Sequence, residues 1–350
     1  MSRERLITSE SRGPDEEQAG LALRPQQLAD CIGQREVIEQ IRIAIAAAKK
    51  RGEPLEHILM DGPPGLGKTT LAHVIANEMG RGDRVKVTSG PAIVKQADLM
   101  STLTNLETGD VLFIDEVHRL PRVVEEFLYP AMEDFKVDFV LEGGLGGRSV
   151  NFRLNRFTLI GATTRAGMLS NAMRDRFGLR YHLDFYNVDD LTEILRRSAR
   201  QLKIKADDAS LNRLAARSRG TPRVANRLLR RARDYAQVRG TGELNDEIVE
   251  GALQIQQIDS LGLDELDRAF LTALIKTYRG GPAGIEALAA TMGQERDTLE
   301  DMVEPYLLQI GFVIRTRQGR CATQAACEHL GLPYTPPAGG ASALAQGELF

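Results

Sequence analysis

The strongest constraint on the fold is a glycine-rich segment at residues 62–69, which reads G-P-P-G-L-G-K-T. It matches the P-loop pattern without a break, follows an apolar run at 58–60 and precedes a helical pattern. Glycines let backbone N–H groups turn toward phosphate oxygens, and the N-terminus of the next helix adds partial positive charge. Lys68 is expected to reach the β and γ phosphates of ATP, and Thr69 to offer its hydroxyl to Mg²⁺. The predicted ATP/ADP-binding residues of this segment are Gly65, Gly67, Lys68, Thr69 and Thr70.

A second apolar run, at 111–114, ends in two carboxylates, Asp115 and Glu116. Ligands of open α/β sheets collect at the carboxyl ends of the strands. Asp115 is suited to hold Mg²⁺ through its water shell, and Glu116 is suited to orient and polarise an attacking water. Two acidic residues that cap the next helix are the alternative interpretation. The position of the pair downstream of the P-loop favours ATP hydrolysis.

The patterning along the 350 residues predicts three domains between two polar ends. Strands and helices alternate over 21–186, which predicts an α/β domain with a parallel sheet and flanking helices. Strand-like runs are missing from 187–257, which predicts a small all-α domain. Over 258–333, three helical patterns precede two short alternating runs, as in a winged helix. We expect residues 1–20 to be a flexible arm and 334–350 to be a disordered tail.

Charge and composition exclude several classes of protein. Lys and Arg number 45 against 48 Asp and Glu, so the net charge is −3 and any nucleic-acid surface must be local. The stretch 196–239 is strongly basic, either as a solvated helical surface or as a binding face. No apolar run approaches the roughly 20 residues of a membrane span, and the first residues lack a signal-peptide core. With 3 cysteines and no C-x-x-C pair, a reducing cytoplasm is expected.

Three further segments, together with the P-loop, resemble the AAA+ ATPases. Thr163 closes an apolar strand and matches the sensor 1 position of that superfamily. The segment 174–177 (R-D-R-F) resembles the one that presents an arginine finger to the neighbouring subunit, with Arg176 favoured over Arg174. Thr221-Pro222-Arg223 resembles sensor 2, with Arg223 directed at the nucleotide. A strand-end threonine, surface ion pairs and one more arginine on a basic helix are the alternatives.

Longer strings resemble one AAA+ family, RuvB, the bacterial motor that drives branch migration of Holliday junctions. The resemblance runs from about residue 21 to residue 333. The strings that carry it are T-S-G-P at 88–91, L-Y-P-A-M-E-D at 128–134, G-A-T-T-R-A-G at 161–167, G-T-P-R at 220–223, A-N-R-L-L-R-R at 225–231 and E-P-Y-L at 304–307.

The resemblance implies an α/β P-loop AAA+ domain, a small all-α lid and a C-terminal winged-helix domain. It implies a cytoplasmic homohexamer around DNA that works with RuvA and the RuvC resolvase in recombination and repair, away from membranes. It assigns further nucleotide contacts to Leu23, Arg24, Glu133, Asp134, Phe135 and Tyr186. It assigns contacts with DNA to Arg296, Arg315 and Arg320. The segment 80–86 departs from the family by being longer and more charged, and we expect it to be a surface link between elements.

Two features connect this chemistry to partners. Residues 137–154 contain two alternating runs around a glycine-rich tip at 143–147, which predicts a β-hairpin with an apolar face. The resemblance implies that RuvA docks there, and packing on its own domain is the alternative. The predicted wing carries Arg315, Arg317 and Arg320 with no acidic residue among them, which suits a grip on the DNA backbone. Winged helices also bind proteins.

Three functions fit these motifs. The favoured one is an ATP-driven DNA translocase, in a ring because an arginine finger acting on the next subunit needs a neighbour. The second is a clamp-loader-like or switch ATPase that places another protein on DNA, and the third is a nucleotide-gated DNA-binding scaffold. Glu116 and the candidate finger argue against pure switching, because both serve hydrolysis.

Overall fold

The computed structural model describes residues 23–141, 148–334 and 336. The described residues up to Tyr186 form one compact unit, and those from Asn187 onward form a second. The predicted arm at 1–20, the tip at 143–147 and most of the tail at 334–350 lie outside the described residues.

A parallel sheet of 5 strands organises the first unit, in the order β2-β3-β6-β1-β7. Its strands are β1 (Ile58–Asp61), β2 (Val85–Ser89), β3 (Val111–Asp115), β6 (Thr158–Thr163) and β7 (Leu179–His182). The α-helices are α1 (Arg35–Arg51), α2 (Lys68–Glu78), α3 (Gln96–Thr104), α4 (Arg122–Glu133) and α5 (Asn171–Asp175). Short 3₁₀ turns cover Leu28–Asp30, Gly82–Arg84, Gly90–Ala92, Val117–Arg119 and Ala166–Met168. The α/β class predicted from the sequence is confirmed.

Both faces of the central strands are buried, which explains why these strands are continuous apolar runs. Side chains alternate between two separate cores, so that Met60 and Phe113 pack with α1 and α2. Leu59 and Ile114 point the other way and pack with α3 and α4. The arrangement brings the carboxyl ends of β1, β3 and β6 to one edge of the sheet.

The two edge strands, β2 and β7, escape the sequence patterns. Lys86 and Val87 are exposed in β2, and Arg180 and His182 are exposed in β7, so neither strand forms an apolar run. The expectation that segment 80–86 lies between elements is wrong for its last two residues, which begin β2.

An antiparallel hairpin leaves the first unit after α4, at the place where the sequence predicts one. Its strands are β4 (Lys136–Leu141) and β5 (Arg148–Arg153), and Val137 lies opposite Phe152. Val137 is buried in the core of its own unit, whereas Phe152 is exposed. One apolar residue of this pair is therefore used internally, and the other is presented to the outside.

The second unit begins with a helical part that agrees with the predicted lid. Its helices are α6 (Val188–Gln201), α7 (Asp208–Ala216), α8 (Pro222–Arg239) and α9 (Asp246–Ile255). One isolated parallel bridge joins Ala206 to Leu244. Asn187, Asp207 and Asn245 cap the N-termini of α6, α7 and α9 through their side-chain oxygens.

A winged helix follows, built around its own core. Its helices are α10 (Glu265–Thr272), α11 (Ile285–Met292), α12 (Arg296–Thr298), α13 (Glu304–Gln309) and α14 (Gln324–Leu330), with π-helical turns at Ala273–Thr277 and Leu299–Val303. The wing pairs β8 (Val313–Thr316) with β9 (Gly319–Ala322). Two predicted helices thus include wide turns that the apolar spacing does not reveal. No helix in the described ranges is long and apolar enough to cross a membrane.

Candidate functional site

The P-loop links β1 to α2 at the carboxyl edge of the sheet. Gly62, Gly65 and Gly67 have φ values of 134°, 80° and 100°, a region that favours glycine. At Gly62 a Cβ atom would lie 2.3 Å from the carbonyl oxygen of Leu183, so a side chain there would push the loop off β7. The loop is shaped by backbone conformations that other residues adopt only with strain.

Lys68 opens α2 with its side chain buried against the loop. Its Nζ donates hydrogen bonds to the carbonyl oxygens of Gly62 at 2.7 Å and Pro63 at 2.9 Å. Thr69 and Thr70 follow in the first turn and are half-buried. The ammonium group is therefore held inside the loop that the sequence assigns to phosphate.

Glu116 stands on a strained turn directly after β3. Its φ is 49°, and its N–H donates to Asp115 Oδ1 at 2.9 Å. Its carboxylate accepts a hydrogen bond from Arg119 at 2.9 Å. A Cβ atom on Gly90 would lie 2.4 Å from the carbonyl oxygen of Glu116, so this glycine is needed where the turn passes the end of β2.

A hydrogen bond ties the end of β6 to the turn that follows Glu116. The buried Thr163 hydroxyl lies 2.9 Å from His118 Nδ1 and accepts the N–H of Arg165 at 3.0 Å. Thr163 is thus connected to the segment that carries Glu116. The structure brings the P-loop, the Asp115-Glu116 pair and Thr163 to the carboxyl edge of the same sheet.

The Arg176 side chain packs against the C-terminal end of α4 in its own chain. Its guanidinium lies 4.0 Å from the centre of the Tyr129 ring and 3.2 Å from Glu133. It also donates to the carbonyl oxygen of Ala172 at 2.6 Å. Arg174, the alternative finger, donates to Asn171 Oδ1 at 2.6 Å and is half-buried in α5. Two residues assigned to the nucleotide site, Glu133 and Arg176, therefore contact each other.

The remaining assigned nucleotide contacts of this unit are spread around the P-loop and the base of the hairpin. Tyr186 donates its hydroxyl to the carbonyl oxygen of Leu66 at 3.4 Å. Leu23 is buried and Arg24 half-buried. Asp134 forms an ion pair with Lys136 at 2.8 Å, and Phe135 lies edge-on to the Phe157 ring at 5.8 Å. Phe135 therefore contributes to packing beneath the hairpin.

His57 supports that region and is absent from the sequence-based assignment. Its Nδ1 accepts the N–H of Leu159 at 2.9 Å, so its Nε2 carries the proton and donates to the carbonyl oxygen of Met132 at 3.0 Å. Burial lowers the pKa of His57, which keeps the ring neutral. The ring fixes the end of α4 to β6.

The arginines assigned to DNA lie in the winged helix and are paired with acidic residues. Arg315 donates to Glu304 at 2.8 and 2.7 Å, and Arg320 donates to Glu304 at 2.7 and 3.1 Å. Arg296 forms ion pairs with Glu286 at 3.2 Å and Glu300 at 3.3 Å. The wing itself contains no acidic residue, as the sequence shows, but the preceding helix, α13, supplies Glu304.

Three family models match consecutive parts of the chain. They are the Holliday junction DNA helicase RuvB P-loop domain at residues 23–183, the RuvB AAA lid domain at 186–259 and the RuvB C-terminal winged helix domain at 260–331. The chain belongs to the RuvB family.

Curated relatives and solved structures agree with this assignment. The Holliday junction branch migration complex subunit RuvB of Kosmotoga olearia is 55% identical, over 94% of this chain and 95% of that protein. The same subunit of Chloroflexus aurantiacus is 53% identical over 100% of both chains. The solved Thermotoga maritima RuvB Holliday junction branch migration motor is 48% identical, with a TM-score of 0.82 over 90% of this chain and 100% of that chain.

In this RuvB-family chain, Arg223 lies in the second unit, one residue into α8. Pro222 is the first residue of that helix, as the motif predicts, and the preceding turn places Arg219 and Gly220 at φ values of 55° and 65°. Many arginines of the basic lid are paired with acids, including Arg196 with Asp208 at 3.0 Å and Arg217 with Glu250 at 3.0 Å. The pairing favours the solvated-surface interpretation of the stretch 196–239.

The predicted metal ligands of this RuvB-family site have suitable chemistry. Thr69 supplies a hydroxyl oxygen and Asp115 a carboxylate oxygen, and hard oxygen ligands suit Mg²⁺. Among the residues that the structure describes, no group of three or more His, Cys, Asp or Glu side chains could hold a metal ion. The two predicted ligands therefore fit an ion that also binds water and phosphate oxygens, as Mg²⁺ in P-loop proteins does.

Proposed function

We propose that this chain is an ATP-driven DNA translocase that drives branch migration of Holliday junctions in homologous recombination and repair. Membership of the RuvB family over all three domains supports this function, and it carries the proposal. We propose further that the chain works in the cytoplasm as a homohexameric ring around DNA, with RuvA and the RuvC resolvase as partners. The proposed finger, Arg176, would act on the nucleotide of the neighbouring subunit, so the site is complete only between two copies, and head-to-tail contacts of this kind can close into a ring.

The proposed hydrolysis takes place at the carboxyl ends of the central strands of the parallel sheet. Lys68 would leave the two loop carbonyls for the β and γ phosphates, and Thr69 and Asp115 would hold Mg²⁺. Bound Mg²⁺ would neutralise charge on the phosphate oxygens. Glu116 would orient the attacking water and accept its proton. No covalent intermediate is needed, because positioning and charge stabilisation supply the catalysis.

Other residues would sense and complete the site. Thr163 lies beside the turn that carries Glu116, which suits a polar contact near the γ-phosphate. Arg176 would stabilise charge on the phosphoryl group in the neighbouring subunit, which requires it to leave Tyr129 and Glu133. Arg223 would bind the nucleotide from the lid.

The proposed grip on DNA is sequence-independent. Arg296, Arg315 and Arg320 would contact backbone phosphates, which position a protein on DNA without reading bases. Each contact is modest and salt-sensitive, as a motor that must repeatedly let go requires.

The experiment that tests this function is migration of a synthetic four-way junction. With RuvA and ATP present, the purified chain is expected to convert the junction to two duplexes with continuous DNA-stimulated ATP turnover. Junction migration without ATP turnover would contradict the motor. One round of turnover for each protein placed on DNA would instead identify a loader.

The hairpin β4–β5 is the proposed RuvA-docking surface, and Phe152 tests it. Phe152 is exposed on the hairpin, so aspartate at this position should not disturb the core. We expect Phe152→Asp to abolish stimulation by RuvA while the basal ATPase rate stays within about twofold of wild type, because surface substitutions are mostly mild. Ile43→Asp, at an exposed apolar residue of α1, is the matched control and should keep full stimulation. Undiminished stimulation of the Phe152 variant would remove the hairpin from this role.

A further inference from the structure

Arginines and glutamates alternate in a continuous row on the winged helix. Each neighbouring pair is joined at 2.7–3.3 Å. In spatial order, the row consists of Glu286, Arg296, Glu300, Arg320, Glu304 and Arg315. Its positive and negative charges are equal in number, so its net formal charge is zero. A surface that only attracted phosphate would not be built in this way.

Glu304 differs from the other two glutamates of the row. It is 0% exposed, whereas the side chain of Glu286 is 80% exposed. It accepts four hydrogen bonds from two guanidinium groups, at 2.7–3.1 Å. Burial alone raises the pKa of Glu304, but the hydrogen bonds and charges of Arg315 and Arg320 outweigh burial and leave the pKa below its usual value. The carboxylate is therefore charged at neutral pH.

The two arginines that share Glu304 differ in exposure. The side chain of Arg320 is 15% exposed, and that of Arg315 is 54% exposed. The backbone of Arg320 is also fixed, since its N–H and carbonyl oxygen both pair with Ala283 at 2.8 and 2.9 Å. Arg320 therefore lies inside the row, and Arg315 presents its guanidinium to solvent.

We propose that Glu304 is a positioning residue for DNA binding, which holds the guanidinium of Arg315 ready for a backbone phosphate while Arg320 braces the carboxylate. The proposal rests on the proposed function, in which Arg315 contacts DNA. A long arginine side chain loses rotamer freedom when it binds, and a carboxylate that already fixes it reduces that loss. Two parallel hydrogen bonds fix the plane of the guanidinium as well as its place.

The direction in which one substitution changes DNA affinity distinguishes positioning from simple electrostatics. Glu304→Gln removes a negative charge from the DNA face, so charge alone predicts tighter binding. Positioning predicts the opposite, about tenfold weaker binding to duplex DNA, because Arg315 loses its hydrogen bonds to a charged carboxylate and is no longer held in place. We also expect the slope of log affinity against log salt concentration to become shallower, by about the amount that one phosphate contact contributes. Fluorescence anisotropy of labelled duplex DNA at several salt concentrations measures both.

Glu286→Gln is the matched control. It removes the same charge from the same row at an exposed position, and it should bind DNA as tightly as wild type or more tightly. Weakening in both variants to the same extent would overturn the special role of Glu304. Equal or tighter binding by folded Glu304→Gln would also overturn it.

Two further variants keep the result decisive. Arg315→Ala should weaken binding, and unchanged affinity in this variant would reject the DNA role of Arg315, which belongs to the proposed function. If thermal unfolding shows that Glu304→Gln does not fold, Glu304→Met with Arg320→Met replaces the buried pair by apolar groups, an exchange that proteins often tolerate. Because Arg320 is itself a proposed DNA contact, the measurement is the further loss of affinity when Arg315→Ala is added, which should be much smaller in the double variant than in wild type. An equal further loss in both backgrounds would overturn the proposal.

Discussion

Glu116→Gln is expected to stop ATP turnover while the protein still binds ATP. Glutamine keeps the size of the side chain and can accept the hydrogen bond from Arg119, so the turn after β3 should persist. It cannot take a proton from the attacking water. Loss of a general base typically lowers the rate about 10²–10⁴-fold. Lys68 and the P-loop backbone are unaltered, so nucleotide affinity should change little.

Steady-state phosphate release and equilibrium binding of a fluorescent ATP analogue would separate the two effects. Glu126→Gln is the matched control, because Glu126 is exposed on α4 and also pairs with an arginine one helical turn away, at 3.1 Å. The control should hydrolyse ATP at the wild-type rate. Turnover by Glu116→Gln within a few-fold of wild type would place the base elsewhere. Junction migration by a variant that cannot hydrolyse ATP would contradict the motor itself.

The sequence predicts those parts of the fold that depend on contiguous residues, such as motifs and apolar runs. The P-loop is a run of 8 residues whose glycines are demanded by backbone conformation, and β3 is an apolar run because both of its faces are buried. Edge strands β2 and β7 carry charged residues on exposed positions, so the same rule could not find them. Apolar runs therefore predict the central strands of the sheet but not its edge strands.

The site shows the same division between local and distant information. The P-loop and Asp115-Glu116 follow from motifs, whereas His118 and Gly90 matter because two strand ends meet in space. The residues of the wing alone predict a cationic surface, but the carboxylate of Glu304 in α13 binds its arginines from 11 and 16 residues away. Pairings over such distances leave no periodic signal in the sequence.

A second buried ion pair joins the lid to the winged helix within the second unit. Arg219, in the turn before α8, is 4% exposed and donates to Asp267 at 3.0 Å. Its guanidinium lies 4.5 Å from the centre of the Tyr306 ring. Burial raises the pKa of Tyr306 to about 12, so its hydroxyl stays protonated and donates to the carbonyl oxygen of Leu261 at 2.6 Å. Asp267 also accepts the N–H of Asp264 at the start of α10, at 3.0 Å.

Asp267→Ala is expected to destabilise this unit strongly. The substitution leaves the Arg219 charge buried without its carboxylate and removes a cap from α10. Breaking one partner of a buried ion pair costs about 3–5 kcal/mol. For a unit of this size that corresponds to a fall in Tm of roughly 6–20 °C. Differential scanning calorimetry of the full chain measures the transition.

An exposed pair in the same unit provides the control for Asp267→Ala. Lys205 and Glu243 lie 2.8 Å apart with largely exposed side chains, so Lys205→Ala should lower the Tm far less than Asp267→Ala does. Asp267→Ala combined with Arg219→Met should recover much of the lost stability, because the stranded charge is then gone. A double variant as unstable as Asp267→Ala alone would show that the effect comes from the helix cap. A Tm shift for Asp267→Ala no larger than that of the exposed pair would show that the buried pair does not stabilise the contact between lid and winged helix.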